Sequence, residues 1–420
     1  MLEYMLSGPD LCARTTNRNI LDLQGAMRIG IVTECYRPVI NGVVFSILNF
    51  KDALESRGHE VFVFTPATGN ENGEKGLVAC RSIGHPAYPG YGLTLPLTRS
   101  QRAIAANLDV IHVHHPFVMG RHALTMARSH NKPLVFTNHT QYTQYSHYIP
   151  LLGGMLRGAL ESYVTSFIQQ CDLVVAPSEG ISSYLRAQHV TRPISVVPNG
   201  IDTAKFTGLK LDRREAKAWL GLEPDTAVVL YSGRIALEKN LDFLLDSFKV
   251  LVDKTAGSKV NLVVAGSGPQ EENFRKMVMV RELDDNVVML GAIAYDEMPR
   301  VYRAADLFAT ASTTEVHPLT IMEALASGLP VVAVTAMGTG DIVTHGEDGL
   351  LTEETLEDFA SALARLLGDT ALRDKMARNA QAGAVRFGVE SSTTTLLAAY
   401  ELAIAEHGKR SISAGAAAAR

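Results

Sequence analysis

Short, unbroken apolar runs recur along this chain, each followed by a turn and then a stretch with helical spacing of its apolar positions. The first, Arg28-Ile-Gly-Ile-Val-Thr, is β-branched and lacks the polar alternation of a half-solvated strand, so it predicts a buried parallel strand. A loop through Tyr36-Arg-Pro-Val-Ile-Asn-Gly follows, then a predicted helix Phe45–Arg57 stopped by Gly58, then a strand Val61–Pro66. This β-loop-α-β order is the opening of a Rossmann-like sheet. Further strands are predicted at Asp109–Pro116 and Leu134–Thr140, and strand–turn units at Leu173–Ser178 and Ile194–Asp202, with a long helix Leu156–Gln170 among them. After Phe206 the pattern restarts, with a strand from Ala227 ending in Gly233-Arg234, one from Val260 closing on Gly266-Ser-Gly268, runs at Val287–Ile293, Leu307–Thr310 and Pro330–Val334, and a helix Leu241–Lys254. Two successive series of βα units predict an α/β protein of two Rossmann-like parallel-sheet domains, with the exchange near residues 198–208. No G-x-G-x-x-G follows the first strand, which disfavours a dinucleotide-binding dehydrogenase. Residues 84–98 are too rich in Pro, Gly and Tyr for a helix or a central strand.

A length of 420 residues exceeds what one core usually supports, in agreement with two domains. Net charge −5 argues against nucleic acid as the main partner. The charge is uneven: residues 1–205 carry 17 Lys and Arg against 14 Asp and Glu, so the first half is mildly basic and the second acidic. The four cysteines are scattered without metal-ligand or disulfide spacing, which points to a reducing cytoplasm. Residues 1–26 lack a signal-peptide core and read as a disordered extension ahead of Met27; no run is long enough to span a membrane. The Ala/Gly/Ser-rich tail, 409–420, is also expected to be disordered.

The densest chemistry lies in Ser312–Gly328. Glu315 stands in a polar loop, Pro318 suits the first helical position, and Leu319, Thr320 and Ile321 would offer free amides at a helix start. Glu323 falls inside that helix, and Gly328 ends it. Read one by one, Glu315 is a cap and Glu323 a solvated residue. Other features converge on the same end of the sheet. Gly233-Arg234 and Lys239 follow one strand, and Gly266-Ser-Gly268 follows another. Two cations and a helix terminus can stabilise a diphosphate leaving group without a metal. His112, His114, His115 and His139 cluster at strand ends in the first half, but no carboxylate or cysteine shares a ligand-like spacing with them, so no metal site is assigned. A structural role is expected for His112 and His115.

On these residues the chain resembles the retaining GT-B glycosyltransferases of the large family four (glycosyl transferases group 1). The match runs from about Met27 to Tyr400, through Asn41-Gly42, Pro198-Asn-Gly-Ile-Asp, Gly233-Arg234…Lys239-Asn240, Gly266-Ser-Gly-Pro269 and the Glu-x7-Glu pair Glu315 and Glu323. The resemblance implies an acceptor-binding domain over 27–205, a donor-binding domain over 206–387, and a helix at about 388–408 crossing back to the first domain. It implies that Arg234 and Lys239 hold a diphosphate, that Glu323 binds the nucleotide ribose, and that Glu315 faces the donor sugar. His139 would lie near the anomeric centre, and Gly42 in a loop closing on the phosphate. Gly233, Gly266, Gly268, Ile293, His317, Leu319 and Thr320 complete the expected donor set, and His139, Glu315, Arg234 and Lys239 the catalytic one. No cofactor is implied beyond the nucleotide-sugar co-substrate, and no protein nucleophile. The departure from the family is Val316-His317-Pro318 where many relatives have small residues.

Segments around residues 81–96 and 139–150 look like those of diacylglycerol glucosyltransferases and related glycolipid synthases. They place Tyr88, Tyr91, His114, Tyr142 and Tyr145 on the acceptor side. The expected reaction moves a hexose, UDP-glucose being the first donor and GDP-mannose the second, to diacylglycerol or a related lipid, in a cytoplasmic enzyme peripheral to the inner face of the membrane. The helix after Pro150 carries a single cation, Arg157, so apolar contact through the 84–98 loop is the expected membrane route. A soluble acceptor, a nucleotide-sugar epimerase and a non-catalytic sensor are the alternatives.

Overall fold

The structure, a computed structural model, describes residues 25–39, 41–68, 73–84, 92–142, 153–255 and 259–418. The strands in chain order are β1 Arg28–Val32, β2 Glu60–Pro66, β3 Leu77–Cys80, β4 Ser82–Gly84, β5 Gly92–Thr94, β6 Val110–Val113, β7 Leu134–Thr137, β8 Leu173–Ala176 and β9 Ile194–Val196. The second half supplies β10 Ala227–Ser232, β11 Val260–Ala265, β12 Val287–Gly291, β13 Leu307–Thr310, β14 Val331–Val334 and β15 Gly349–Thr352. The first half builds a parallel sheet ordered β3-β2-β1-β6-β7-β8-β9, and the second a parallel sheet ordered β12-β11-β10-β13-β14-β15. Each reverses direction once, between β1 and β6 and between β10 and β13. In open α/β sheets the crevice for a ligand opens beyond the carboxyl ends of the strands at that point.

The apolar runs become central strands because both faces are covered: every residue of β6, β7, β8, β13 and β14 is buried. Element ends differ from expectation where capping decides them. The first helix is Gly42–Ser56, three residues earlier than its apolar spacing suggested, because the Asn41 side chain accepts from the Val44 amide at 2.8 Å. The helix expected from Leu156 spans Gly153–Ile168. The irregular 84–98 stretch contributes one arm of a separate hairpin, β4 with β5, in which Ile83 faces Leu93.

The last helix, Val389–Ala418, returns to the first sheet and buries Leu396, Leu397, Tyr400 and Ala403 with Ile29, Val44 and Val63. The disordered tail expected from residue 409 is corrected here: the helix continues through Ala418. Alanine is the best helix former, and Arg410 anchors this turn to Asp172 at 2.6 Å. His407 reaches the same carboxylate at 3.0 Å. Cys35, Cys80 and Cys171 are buried free thiols. Among the described residues no helix is long and apolar enough to cross a membrane. Residues 1–24 of the expected N-terminal extension lie outside the described residues.

Candidate functional site

The site starts from two loops that need glycine. After β10 the chain turns at Gly233 (φ +153°), and after β11 at Gly266 (φ +148°). The loops are joined by main-chain bonds, Gly233 N–H to Ala265 O and Ile235 N–H to Ser267 O, both 3.0 Å. A Cβ on Gly266 would lie 1.9 Å from Gly233 O, and one on Gly268 2.2 Å from Ile235 O. The expectation was that these glycines admit a ligand's close approach. In the structure the neighbouring loop already requires both of them.

That loop pair presents Arg234, which is exposed and has no side-chain partner among the described residues. Its backbone is held by the Tyr231 hydroxyl, which donates to Arg234 O at 3.0 Å. Lys239 ends a 3-10 turn, Leu237–Lys239, closed by Asn240 in the left-handed region. Ser312 and Thr314 hydroxyls both donate to Glu238 O, tying the turn to the loop after β13. Lys239 Nζ lies 2.6 Å from Glu315 Oε1 with both side chains largely buried. The second expected diphosphate cation is therefore already paired, and with the carboxylate expected to face the sugar.

Pro318 is the N-cap of the helix Leu319–Ala326, one position outside the helical slot expected for it, because its ψ of 119° is extended. Among the described residues no side chain caps this helix, so the amides of Leu319, Thr320 and Ile321 keep the electropositive character of a free helix start. Glu323 is not a solvated helix residue. It is 5% exposed, accepts from the Tyr302 hydroxyl at 2.8 Å, and is lifted by burial to a pKa of about 7, partly offset by hydrogen bonds from Tyr302 and Tyr295. His317 is buried. Its ring is buried edge-on against Phe387, and burial lowers its pKa to about 4. Ile293 packs half-buried against the second-half core.

The two halves meet around the same loop. Gln141 Nε2 donates to Glu315 O at 2.9 Å, and Asn199 Nδ2 donates to His317 O at 3.1 Å. Phe45 of the first helix packs 4.6 Å from Tyr295. Gly42 is exposed as the first residue of that helix, and a Cβ there would meet nothing within 4 Å. It is thus the first residue of the helix and faces open space.

The histidines at the ends of β6 and β7 form a stack. His112 is held on both sides, by Tyr400 at 2.8 Å and Thr137 at 2.6 Å. His114 lies between His112 and His139, with ring centroids 4.3 and 5.0 Å away. His114 Nδ1 is 2.7 Å from His139 Nε2. Burial pushes His112 to about 3, His115 to about 4, and His114 and His139 well below the usual imidazole value, so all four are neutral near pH 7. His115 Nδ1 meets the Thr33 hydroxyl at 3.2 Å, a structural contact. Among the described residues no group of three or more metal-ligating side chains converges. Tyr142 is buried against Phe117 at 5.7 Å; Tyr88, Tyr91 and Tyr145 lie outside the described residues.

Sequence reading missed Glu34, Gln141, Asn199 and Tyr302. Glu34 follows the end of β1, is buried, accepts from Met119 N–H at 2.7 Å and is raised by burial to about 7. Its place just beyond a strand end was the available signal; Tyr302 offered none beyond its helical spacing. Both Glu34 and Glu323 have folded pKa values raised above the unfolded 4.5. Each thus contributes stability that is present below about pH 4.5 and lost as pH rises through about 7. Thermal unfolding should show Tm falling across that window. Glu323→Gln, which keeps the Tyr302 contact, should flatten the fall by the equivalent of roughly 2–3 kcal/mol. An unchanged slope would show that Glu323 is ionised in the folded protein.

Comparison with known proteins follows the same division. Residues 212–383 match the family described as glycosyl transferases group 1, and residues 40–205 match glycosyltransferase family 4. An alpha-monoglucosyldiacylglycerol synthase of Streptococcus pneumoniae is 34% identical over 320 residues, 73% of this chain and 71% of that protein. A protein of the same name from Acholeplasma laidlawii is 29% identical over 372 residues, 84% of this chain and 92% of its own. Anabaena HepE, crystallised with UDP and glucose, has the same fold at a TM-score of 0.71 and 20% identity, covering 88% of this chain and 98% of that one.

Proposed function

The chain belongs to the glycosyl transferases of group 1 and family 4 and is a glycosyltransferase of GT-B fold, and from that premise we propose that it transfers glucose, with retention, from UDP-glucose to diacylglycerol or a closely related lipid. The observation that carries the donor half is the exposed guanidinium of Arg234, without a side-chain partner among the described residues, in the same domain as Lys239 and the helix start at Leu319. A guanidinium free to fork two oxygens at a strand end fits a diphosphate. The sugar–phosphate bond breaks as the acceptor oxygen attacks from the same face, and the departing phosphate oxygen takes the acceptor's proton. Arg234, Lys239 and the amides of Leu319 and Thr320 stabilise the charge on that phosphate. Glu315 and His139 orient sugar hydroxyls, and Glu323 the ribose.

The lipid half is supported by the names of the two relatives and by one stretch of the first half. From residue 76 to 160 the only carboxylate is Asp109, against Arg81, Arg99, Arg102, Arg121, Arg128, Lys132 and Arg157. Within this stretch Ile83 and Leu93 sit opposite each other in the hairpin, 62% and 59% exposed. Exposed apolar side chains in a stretch of net positive charge suit an anionic leaflet. Ile83→Ser/Leu93→Ser should cut sedimentation with phosphatidylglycerol vesicles at least fivefold while leaving Tm within about 2 °C, as expected of exposed positions. Equal sedimentation would remove the hairpin from the membrane contact.

The deciding experiment measures release of nucleoside diphosphate from UDP-glucose, GDP-mannose and ADP-glucose, with and without diacylglycerol vesicles. Lipid-dependent UDP release with a glucosylated lipid product is expected. Release with a water-soluble alcohol alone would replace the lipid acceptor, and an epimerised nucleotide sugar would replace the reaction.

A further inference from the structure

His114 is 2% exposed, and its Nε2 is buried with no hydrogen-bond partner among the described residues, while Nδ1 lies 2.7 Å from His139 Nε2. The two rings are stacked at 15°. On the other side His114 contacts His112, itself fixed at both nitrogens. The ring of His114 is therefore held between two others. We propose that His114 is a positioning residue that keeps the proton of His139 on Nδ1, so that His139 presents a neutral N–H to an oxygen of the bound sugar donor.

A nitrogen–nitrogen contact of this length needs one proton between the two, which allows two arrangements. If His139 Nε2–H donates, His114 must carry its own proton on Nε2, and a buried N–H is left with nothing to bond. If His114 Nδ1–H donates, the orphan at Nε2 is a bare lone pair. Buried unmet N–H groups are rarer in folded proteins than under-satisfied acceptors, so the second arrangement wins. It obliges His139 to be protonated on Nδ1, the nitrogen without a protein partner among the described residues. Among the described residues the other groups facing this pair electrostatically are imidazoles, and none is an anion that would turn either ring into an imidazolium. His139 then acts as a neutral donor of a hydrogen bond and not as a general acid.

The role toward the sugar rests on the proposed function; the placement of the proton does not. Long-range ¹H–¹⁵N correlation spectra of the full chain labelled at histidine nitrogens read the tautomer directly, with His139 signals assigned by their loss in His139→Gln. The expected wild-type spectrum shows His139 as Nδ1–H. In His114→Phe, which removes the donor, the proton should move to Nε2, with KM for the nucleotide sugar rising at least tenfold. His114→Asn, whose amide can donate from nearly the same place, should retain the wild-type tautomer and donor KM within about threefold. A wild-type His139 protonated on Nε2, or an unchanged tautomer in His114→Phe, overturns the proposal. Nδ1–H in the wild type with no transfer from any nucleotide sugar would leave the proton placement standing and sink the functional reading alone.

Discussion

Lys239→Ala should lower kcat roughly 1,000-fold or more while changing the KM for the nucleotide sugar much less. The magnitude follows from two losses at one place. A unit charge about 4 Å from the leaving phosphate contributes roughly 4 kcal/mol at an effective dielectric near 20, and that contribution grows as the bond to the sugar breaks. The second loss is Glu315, whose Oε1 sits 2.6 Å from the ammonium. Without Lys239 a poorly solvated carboxylate is left beside a diphosphate. Removing that carboxylate as well should therefore help: Lys239→Ala/Glu315→Gln is expected to bind donor more tightly than Lys239→Ala, a departure from additivity that a double-mutant cycle measures. Wild-type turnover in Lys239→Ala would take the diphosphate away from this strand end.

Arg234→Ala tests the same anion from a side that carries no structural load. The guanidinium is exposed and has no partner among the described residues, so its removal should leave Tm within about 2 °C. Loss of one preorganised charge contact to a developing anion should still lower kcat/KM roughly 100- to 1,000-fold. Arg234→Lys should recover only part, because an ammonium cannot engage two phosphate oxygens in a planar fork. Steady-state kinetics of UDP release, paired with thermal unfolding of the same samples, separates the two effects. A variant that loses stability and activity together would make Arg234 a structural residue.

Much of this arrangement is readable in the linear chain because the interactions behind it are local or repetitive. The run Arg28–Val32 can only be a strand covered on both faces, and Gly58 and Gly328 mark helix ends in plain sight. The Glu315–Glu323 spacing and the glycines at 233, 266 and 268 could be found in the same way. Element ends set by a side chain reaching back a few residues, such as Asn41 onto Val44, were misplaced by a turn or less. Glu323 was harder. Its burial depends on Tyr302 and Tyr295, which arrive from a different βα unit, and nothing in the spacing of Leu319–Ala326 says which face the sheet covers.

By itself the sequence determined two parallel sheets, the restart after Phe206 and the family of the chain, since apolar period, glycine and proline act over a few residues. Only the tertiary structure decided that Lys239 neutralises Glu315, that His317 turns into the core, that His114 grips His139, and that the last helix runs on to Ala418. These depend on pairings between groups 25 to 238 residues apart. Energies of that kind exist only once the chain has brought distant groups into a space with little water, where a charge or an imidazole must take whatever partner lies within reach.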